Sequence, residues 1–151
     1  MQLVIDTSEA MTGFGADLAR LTGGQGVIYF HGELGTGKTT CIRGLIQALG
    51  HKGAVKSPTF TIVEPYVFDK YRVYHFDLYR LGDPDELEML GAREYFTPDS
   101  LCLVEWPECA HGALPAADLD IFLEHAGHAR RVRLEAGTPR GQKWLANLNQ
   151  P

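Results

Sequence analysis

The sequence predicts an α/β domain of three layers built around a mixed parallel and antiparallel sheet. Three observations predict it. The continuous apolar runs "VIYF" at 27–30 and "LCLVE" at 101–105 have the composition of strands buried on both faces. Segments of helical periodicity are interspersed with such runs, as in chains that alternate strand and helix. Two β-prone runs, "TFTIVEPYVF" and "YRVYHFDLYR", are separated only by Asp69-Lys70, which predicts an antiparallel hairpin. With 151 residues, 44% of them hydrophobic, one domain spanning 1–151 can bury a core without disulfide or metal staples.

Taken in order, "DTSE" at 6–9 predicts a helix start, with Asp6 as cap and Glu9 three residues on. Met11, Phe14, Leu18 and Leu21 follow at helical spacing, while Gly13 and Gly15 each count against the helix by ~1 kcal/mol. After the strand at 27–30, a second helix is predicted from Lys38 to Leu49. Its apolar face is Ile42, Leu45, Ile46 and Leu49, and Gly50 stands where a left-handed cap belongs. The hairpin comes next. Asp83 as cap, Pro84 at the first turn and Glu86 predict a short helix that Gly91 ends. Beyond the strand at 101–105, "LDIFLE" and "RRVRLE" predict two further strands. "TPRGQKWLANL" predicts a last helix opening at Thr138-Pro139.

The net charge of −5 argues against a surface that binds nucleic acid throughout, while leaving room for a local basic patch. The three cysteines, Cys41, Cys102 and Cys109, are odd in number and form no CxxC pair, the pattern of reduced thiols in a cytoplasmic protein. No leader-like segment opens the chain and no apolar stretch approaches ~20 residues, so neither export nor a membrane is expected.

Residues 32–40, "GELGTGKTT", fit the pattern G-x-x-x-x-G-K-[ST]. Each part has a separable reason. Gly32, Gly35 and Gly37 admit backbone angles that side chains forbid, so that successive amides around Glu33, Leu34 and Thr36 form a concave anion nest. The helix beginning at Lys38 adds its free N–H groups, those of Thr39 and Thr40 among them, and its positive dipole end. Lys38 supplies a point charge for the outer phosphates, and Thr39 offers a hydroxyl to Mg²⁺. The stretch therefore reads as the grip of a P-loop NTPase-like domain on a nucleoside triphosphate.

Such a grip needs acids for its metal. Glu105 closes the strand "LCLVE", where a carboxylate reaches Mg²⁺ at the carboxyl edge of a sheet. Asp77, in "YHFDLYR", either contacts the metal's water shell or positions the attacking water; an ion pair with Arg72 or Arg80 is its competing explanation. Ser57 and Thr59, in the loop "KSPTF" after the phosphate helix, are switch candidates whose hydroxyls could sense phosphate or metal, and a plain strand start at Ser57-Pro58 is the competing explanation. The guanine-reading NKxD pattern does not occur, which favours ATP. No Lys or Arg occurs from Glu94 through Ala129, where a small-molecule kinase would be expected to keep lid arginines. That kinase is the alternative reading, and a nucleotide-dependent binding module without useful turnover is a third. No arginine finger, worth ~10³–10⁵ in rate, is evident, so hydrolysis by the chain alone is expected to be slow.

Together, "GELGTGKTT", "SPTF", "YHFDLYR", "DPDELE" and "LVEWP" occur in an order and spacing that resembles the TsaE (YjeE) family, from about residue 6 to about residue 107. The resemblance implies a P-loop α/β domain that binds ATP and Mg²⁺ and hydrolyses ATP weakly alone. It implies association with the TsaD–TsaB pair, which transfers a threonylcarbamoyl group to adenosine 37 of tRNAs, a transfer that TsaE itself does not perform. Contact with tRNA would then be indirect. It carries the family's magnesium-binding threonine onto Thr39, its HxDLYR aspartate onto Asp77 and its EWP glutamate onto Glu105, with Trp106 following. It also places the adenine near Thr7. Thr36 stands where the family often has Ala, a change expected to be tolerated on an exposed turn. Arg130, Arg131 and Arg133 are expected to form either a tRNA- or partner-facing patch or a solvated strand face.

Overall fold

The computed structural model describes residues 1–148. Seven strands and four α-helices succeed one another: β1 (Gln2–Ile5), α1 (Ser8–Thr22), β2 (Gly26–His31), α2 (Lys38–Ala48), β3 (Val63–Val67), β4 (Arg72–Asp77), α3 (Asp85–Met89), β5 (Ser100–Glu105), β6 (Leu119–Ala126), β7 (Ala129–Ala136) and α4 (Pro139–Leu148). The strands form one sheet in the order β1-β7-β6-β2-β5-β4-β3. Its four central strands, β6, β2, β5 and β4, run parallel, and the outer pairings β3–β4, β6–β7 and β1–β7 are antiparallel. The mixed sheet expected from the sequence is thus present, with parallel strands at the centre.

Alternation along the central strands divides the core. Ile28, Phe30, Leu101 and Leu103 face α1, α2 and α4 in the larger cluster. Val27, Tyr29, Cys102 and Val104 face the smaller one, which Leu87 of α3 and the 3₁₀ turns at Ala92–Glu94 and Pro107–Ala110 cover. The third layer is therefore thin. Among the described residues no helix is long and apolar enough to cross a membrane.

Several boundaries differ from the sequence expectation. Strand β1 has no counterpart there: four residues with one buried side chain carry no legible period. Helix α1 is capped by Thr7, whose hydroxyl accepts from the Ala10 N–H at 3.0 Å, and not by Asp6. Gly15 does not weaken α1 but lets it touch α2, since a Cβ at Gly15 would lie 2.1 Å from the Cys41 carbonyl oxygen. The first hairpin strand is shorter than its β-prone run. Ile62, at φ 69°, breaks the extended chain before Val63. Its partner closes as expected, with Phe68 N–H donating to the Tyr71 carbonyl across Asp69-Lys70 at 2.9 Å.

Candidate functional site

The carboxyl ends of the parallel strands converge on the amino end of α2, and a cleft of about 420 Å³ opens there. Two helix starts border this cleft, and they differ. Helix α1 has its hydroxyl cap at Thr7. Helix α2 starts after Gly37, at φ 103°, with no side-chain cap and no acid in its first turn. An uncapped, acid-free helix start leaves donors and a positive dipole end uncompensated. Nor do the main-chain N–H groups of Leu34, Gly35, Thr36 and Gly37 find an acceptor among the described residues. A row of such donors has the chemistry that suits an anion.

Within this row, Gly35, at φ 76°, has open space around it, whereas a Cβ on Gly32 would lie 2.5 Å from the Leu123 carbonyl oxygen. Thr36 is fully buried, and its hydroxyl donates to the Glu33 carbonyl at 2.8 Å. The expectation that Thr36 sits on an exposed turn is therefore wrong: its hydroxyl ties the loop together from inside.

Lys38 is buried as well. Its ammonium donates to the Gly32 carbonyl and lies 3.6 Å from the centre of the Trp106 ring. Burial lowers its pKa, and the surrounding carboxylates, Glu105 foremost, oppose that shift. Trp106 holds a left-handed backbone at φ 58°, unusual for a large side chain, and packs against Tyr79.

The two predicted acids are neighbours because β4 and β5 run parallel in register, with Asp77 opposite Glu105. The Thr39 hydroxyl lies 3.3 Å from each Glu105 carboxylate oxygen. His75, not assigned a role from sequence, places Nε2 2.7 Å from Glu105 Oε2. Asp77 accepts from the Tyr79 N–H at 3.1 Å and from the Thr59 hydroxyl at 3.4 Å, and Thr59 in turn meets the Ser57 hydroxyl at 2.8 Å. No ion pair joins Asp77 to Arg72 or Arg80 among the described residues. A hydroxyl and two carboxylates give an all-oxygen donor set, the kind that suits Mg²⁺ rather than a softer metal.

The nucleotide and metal candidates singled out from sequence line this cleft except Gly32, whose carbonyl accepts from Lys38, and Glu33, whose carbonyl accepts from Thr36. A family model described as "Threonylcarbamoyl adenosine biosynthesis protein TsaE" matches residues 5–133. The chain belongs to the TsaE family. A TsaE protein of Haemophilus influenzae is 50% identical over 120 residues, 80% of this chain and 76% of that relative. One from Bacillus subtilis is 42% identical over 105 residues, 70% of this chain and 65% of that relative. Both carry the name "tRNA threonylcarbamoyladenosine biosynthesis protein TsaE". The crystal structure of Bacillus subtilis YdiB aligns with a TM-score of 0.83 at 29% identity, covering 99% of this chain and 94% of that one.

In this TsaE chain the arginines of β7 do not act as one patch. Arg131 pairs with Glu124 at 2.9 Å and Arg133 pairs with Glu135. Arg130 alone turns to the cleft, donating to the Gly35 carbonyl at 3.3 Å, with His128 beside it. Sequence reading missed this placement because β7 reaches the loop at Gly35 through the β6–β7 hairpin.

Burial is the main cause that raises the pKa of Asp77. The Tyr79 N–H opposes it, and the Glu105 charge adds to it. A carboxyl whose folded pKa exceeds its unfolded one costs stability above the folded value, and that cost fades as pH falls toward the unfolded value. Asp77→Asn in the TsaE chain is therefore expected to raise the melting temperature at pH 7 by roughly 1–3 °C. The gap to wild type should narrow as pH falls toward the ordinary carboxylate range. Melts followed by circular dichroism check this, and a variant less stable than wild type at pH 7 would refute it.

Proposed function

We propose that this chain is a Mg²⁺-dependent ATPase of the cytoplasm that supports threonylcarbamoyl modification of adenosine 37 in tRNA. In this reading it cycles ATP in association with TsaD–TsaB and does not itself transfer the threonylcarbamoyl group. The observation that carries the reading is the uncapped start of α2 with Lys38 at its head, set against two in-register carboxylates. Family membership supplies the pathway.

The loop amides from Leu34 to Gly37 and the Lys38 ammonium bind the phosphate oxygens and withhold them from water. Thr39 and Glu105 would hold Mg²⁺, which supplies neutralisation of phosphate charge when bound. Asp77 orients an attacking water by accepting its hydrogen bond. Its contact with Thr59 joins that task to the loop at 57–61, so that a change in the loop is felt in the cleft. Thr7 and Arg130 also line the cleft, and in this reading the nucleoside lies against them.

Among the described residues Arg130 is the one arginine lining the cleft, and the Gly35 carbonyl engages it. Slow turnover by the isolated chain follows, because nothing cationic beyond Lys38 stands ready for the transition-state charge. Phosphate release measured with and without TsaD–TsaB tests this. The pair is expected to stimulate release at least roughly tenfold, a small part of what one added cation at the phosphates can supply. Glu105→Ala should abolish the stimulated release while ATP binding in EDTA persists. Release indifferent to the pair would overturn the partner-gated reading.

A further inference from the structure

We propose that His75 is a positioning residue that fixes the Glu105 carboxylate for the divalent cation; the inference rests on the nucleotide-and-metal reading given above.

His75 lies on β4 opposite Leu103 of β5, one alternation before Asp77 and on the face that carries Glu105. Its side chain is wholly buried. An imidazole in such a place loses its hydration, so its hydrogen bonds show what it is for. Only one is made. Nε2 lies 2.7 Å from Glu105 Oε2, while Nδ1 is a buried polar atom with no partner. An unpartnered buried polar group costs stability, so a histidine serving the core alone would be a poor choice beside leucine.

The other contacts of Glu105 are weaker. Thr39 Oγ1 stands 3.3 Å from both carboxylate oxygens, beyond the usual 2.5–3.0 Å of a hydroxyl bond. The hydroxyl faces the carboxylate without fixing it. The short contact from His75 fixes it. A carboxylate only accepts, so Nε2 carries the hydrogen, and the bond is charge-assisted. It occupies Oε2 from the β4 side and leaves Oε1 with the Thr39 hydroxyl as its only partner among the described residues. Glu105 therefore meets its cation as a rigid ligand, with Oε2 committed to His75 and Oε1 held only by the long Thr39 contact. Partners of this kind, standing behind a metal ligand, are typically worth 10- to 100-fold in metal affinity or activity.

The test uses Mn²⁺ in place of Mg²⁺, titrated into the full-length chain with a non-hydrolysable ATP analogue while free Mn²⁺ is counted by electron paramagnetic resonance. His75→Leu should weaken Mn²⁺ binding about 10- to 100-fold. Its affinity for the analogue in EDTA should stay at the wild-type level. His75→Gln, which can offer a donor nitrogen near the position of Nε2, should recover most of the lost metal affinity. Wild-type Mn²⁺ binding by His75→Leu would overturn the assignment, as would a Gln variant as weak as Leu. So would an equal loss of metal-free analogue binding, which would mark His75 as structural. A wild-type chain that binds no analogue even in EDTA would defeat the nucleotide reading itself, and the role of His75 with it.

Discussion

Lys38→Ala is expected to abolish ATP turnover and to weaken ATP binding roughly 10- to 150-fold, the equivalent of about 1.5–3 kcal/mol for a hydrogen bond to a charged group. The reason is local. Lys38 is the only lysine or arginine buried in the described chain, and it sits in the first turn of α2 beside the free loop amides. Its present partners are a carbonyl and an indole ring, so no carboxylate has to be displaced before it meets phosphate. Helix α2 should survive the change, because alanine favours helix more than lysine does. Calorimetry with ATP, alongside far-ultraviolet circular dichroism, checks both halves. A folded Lys38→Ala chain that binds ATP like wild type would remove Lys38 from the phosphate site.

The second large effect is on stability and comes from a glycine that local propensity would misjudge. Gly44→Ala should stabilise α2 by ~1 kcal/mol if only the helix mattered. The structure predicts the opposite sign. A Cβ at Gly44 would lie 2.3 Å from the Thr12 carbonyl oxygen, and the reciprocal position Gly15 faces the Cys41 carbonyl just as closely. Both obstacles are backbone, so neither can swing aside. The helices must separate, at a cost of about 1–3 kcal/mol or more and a fall in melting temperature of roughly 4–10 °C. Gly13→Ala is the control: nothing lies within 4 Å of its added Cβ, and it should melt at or above the wild-type temperature. A Gly44→Ala chain as stable as wild type would show that α1 and α2 do not meet this closely.

These glycines also show where sequence reading stops. Gly32, Gly35 and Gly37 were legible because their spacing belongs to a phosphate-gripping turn and a helix follows at once. Gly15 and Gly44 carry no such spacing. Their need arises from a contact between two helices, which no local pattern announces. Glu105 and Asp77 were legible one at a time, as carboxylates ending apolar strands. Their adjacency follows from the parallel register of β4 and β5, and the sequence speaks only of the antiparallel hairpin beside it. His75 stood in a quoted motif, yet nothing near it along the chain hints at a carboxylate thirty residues away. Thr36 was misplaced for a related reason: a threonine in a polar loop reads as solvent-facing until its hydroxyl is seen closing on Glu33.

The place of β2 has a consequence for synthesis on the ribosome. Both neighbours of β2 come late, β5 ending at Glu105 and β6 beginning at Leu119, and β1 waits longer still for β7. The strand that leads into the proposed phosphate cradle is thus translated long before the strands that flank it, and pairings between such distant segments form slowly. A nascent chain stalled before Leu119 would leave one edge of β2 bare, with Ile28 and Phe30 beside it, the kind of surface that invites aggregation.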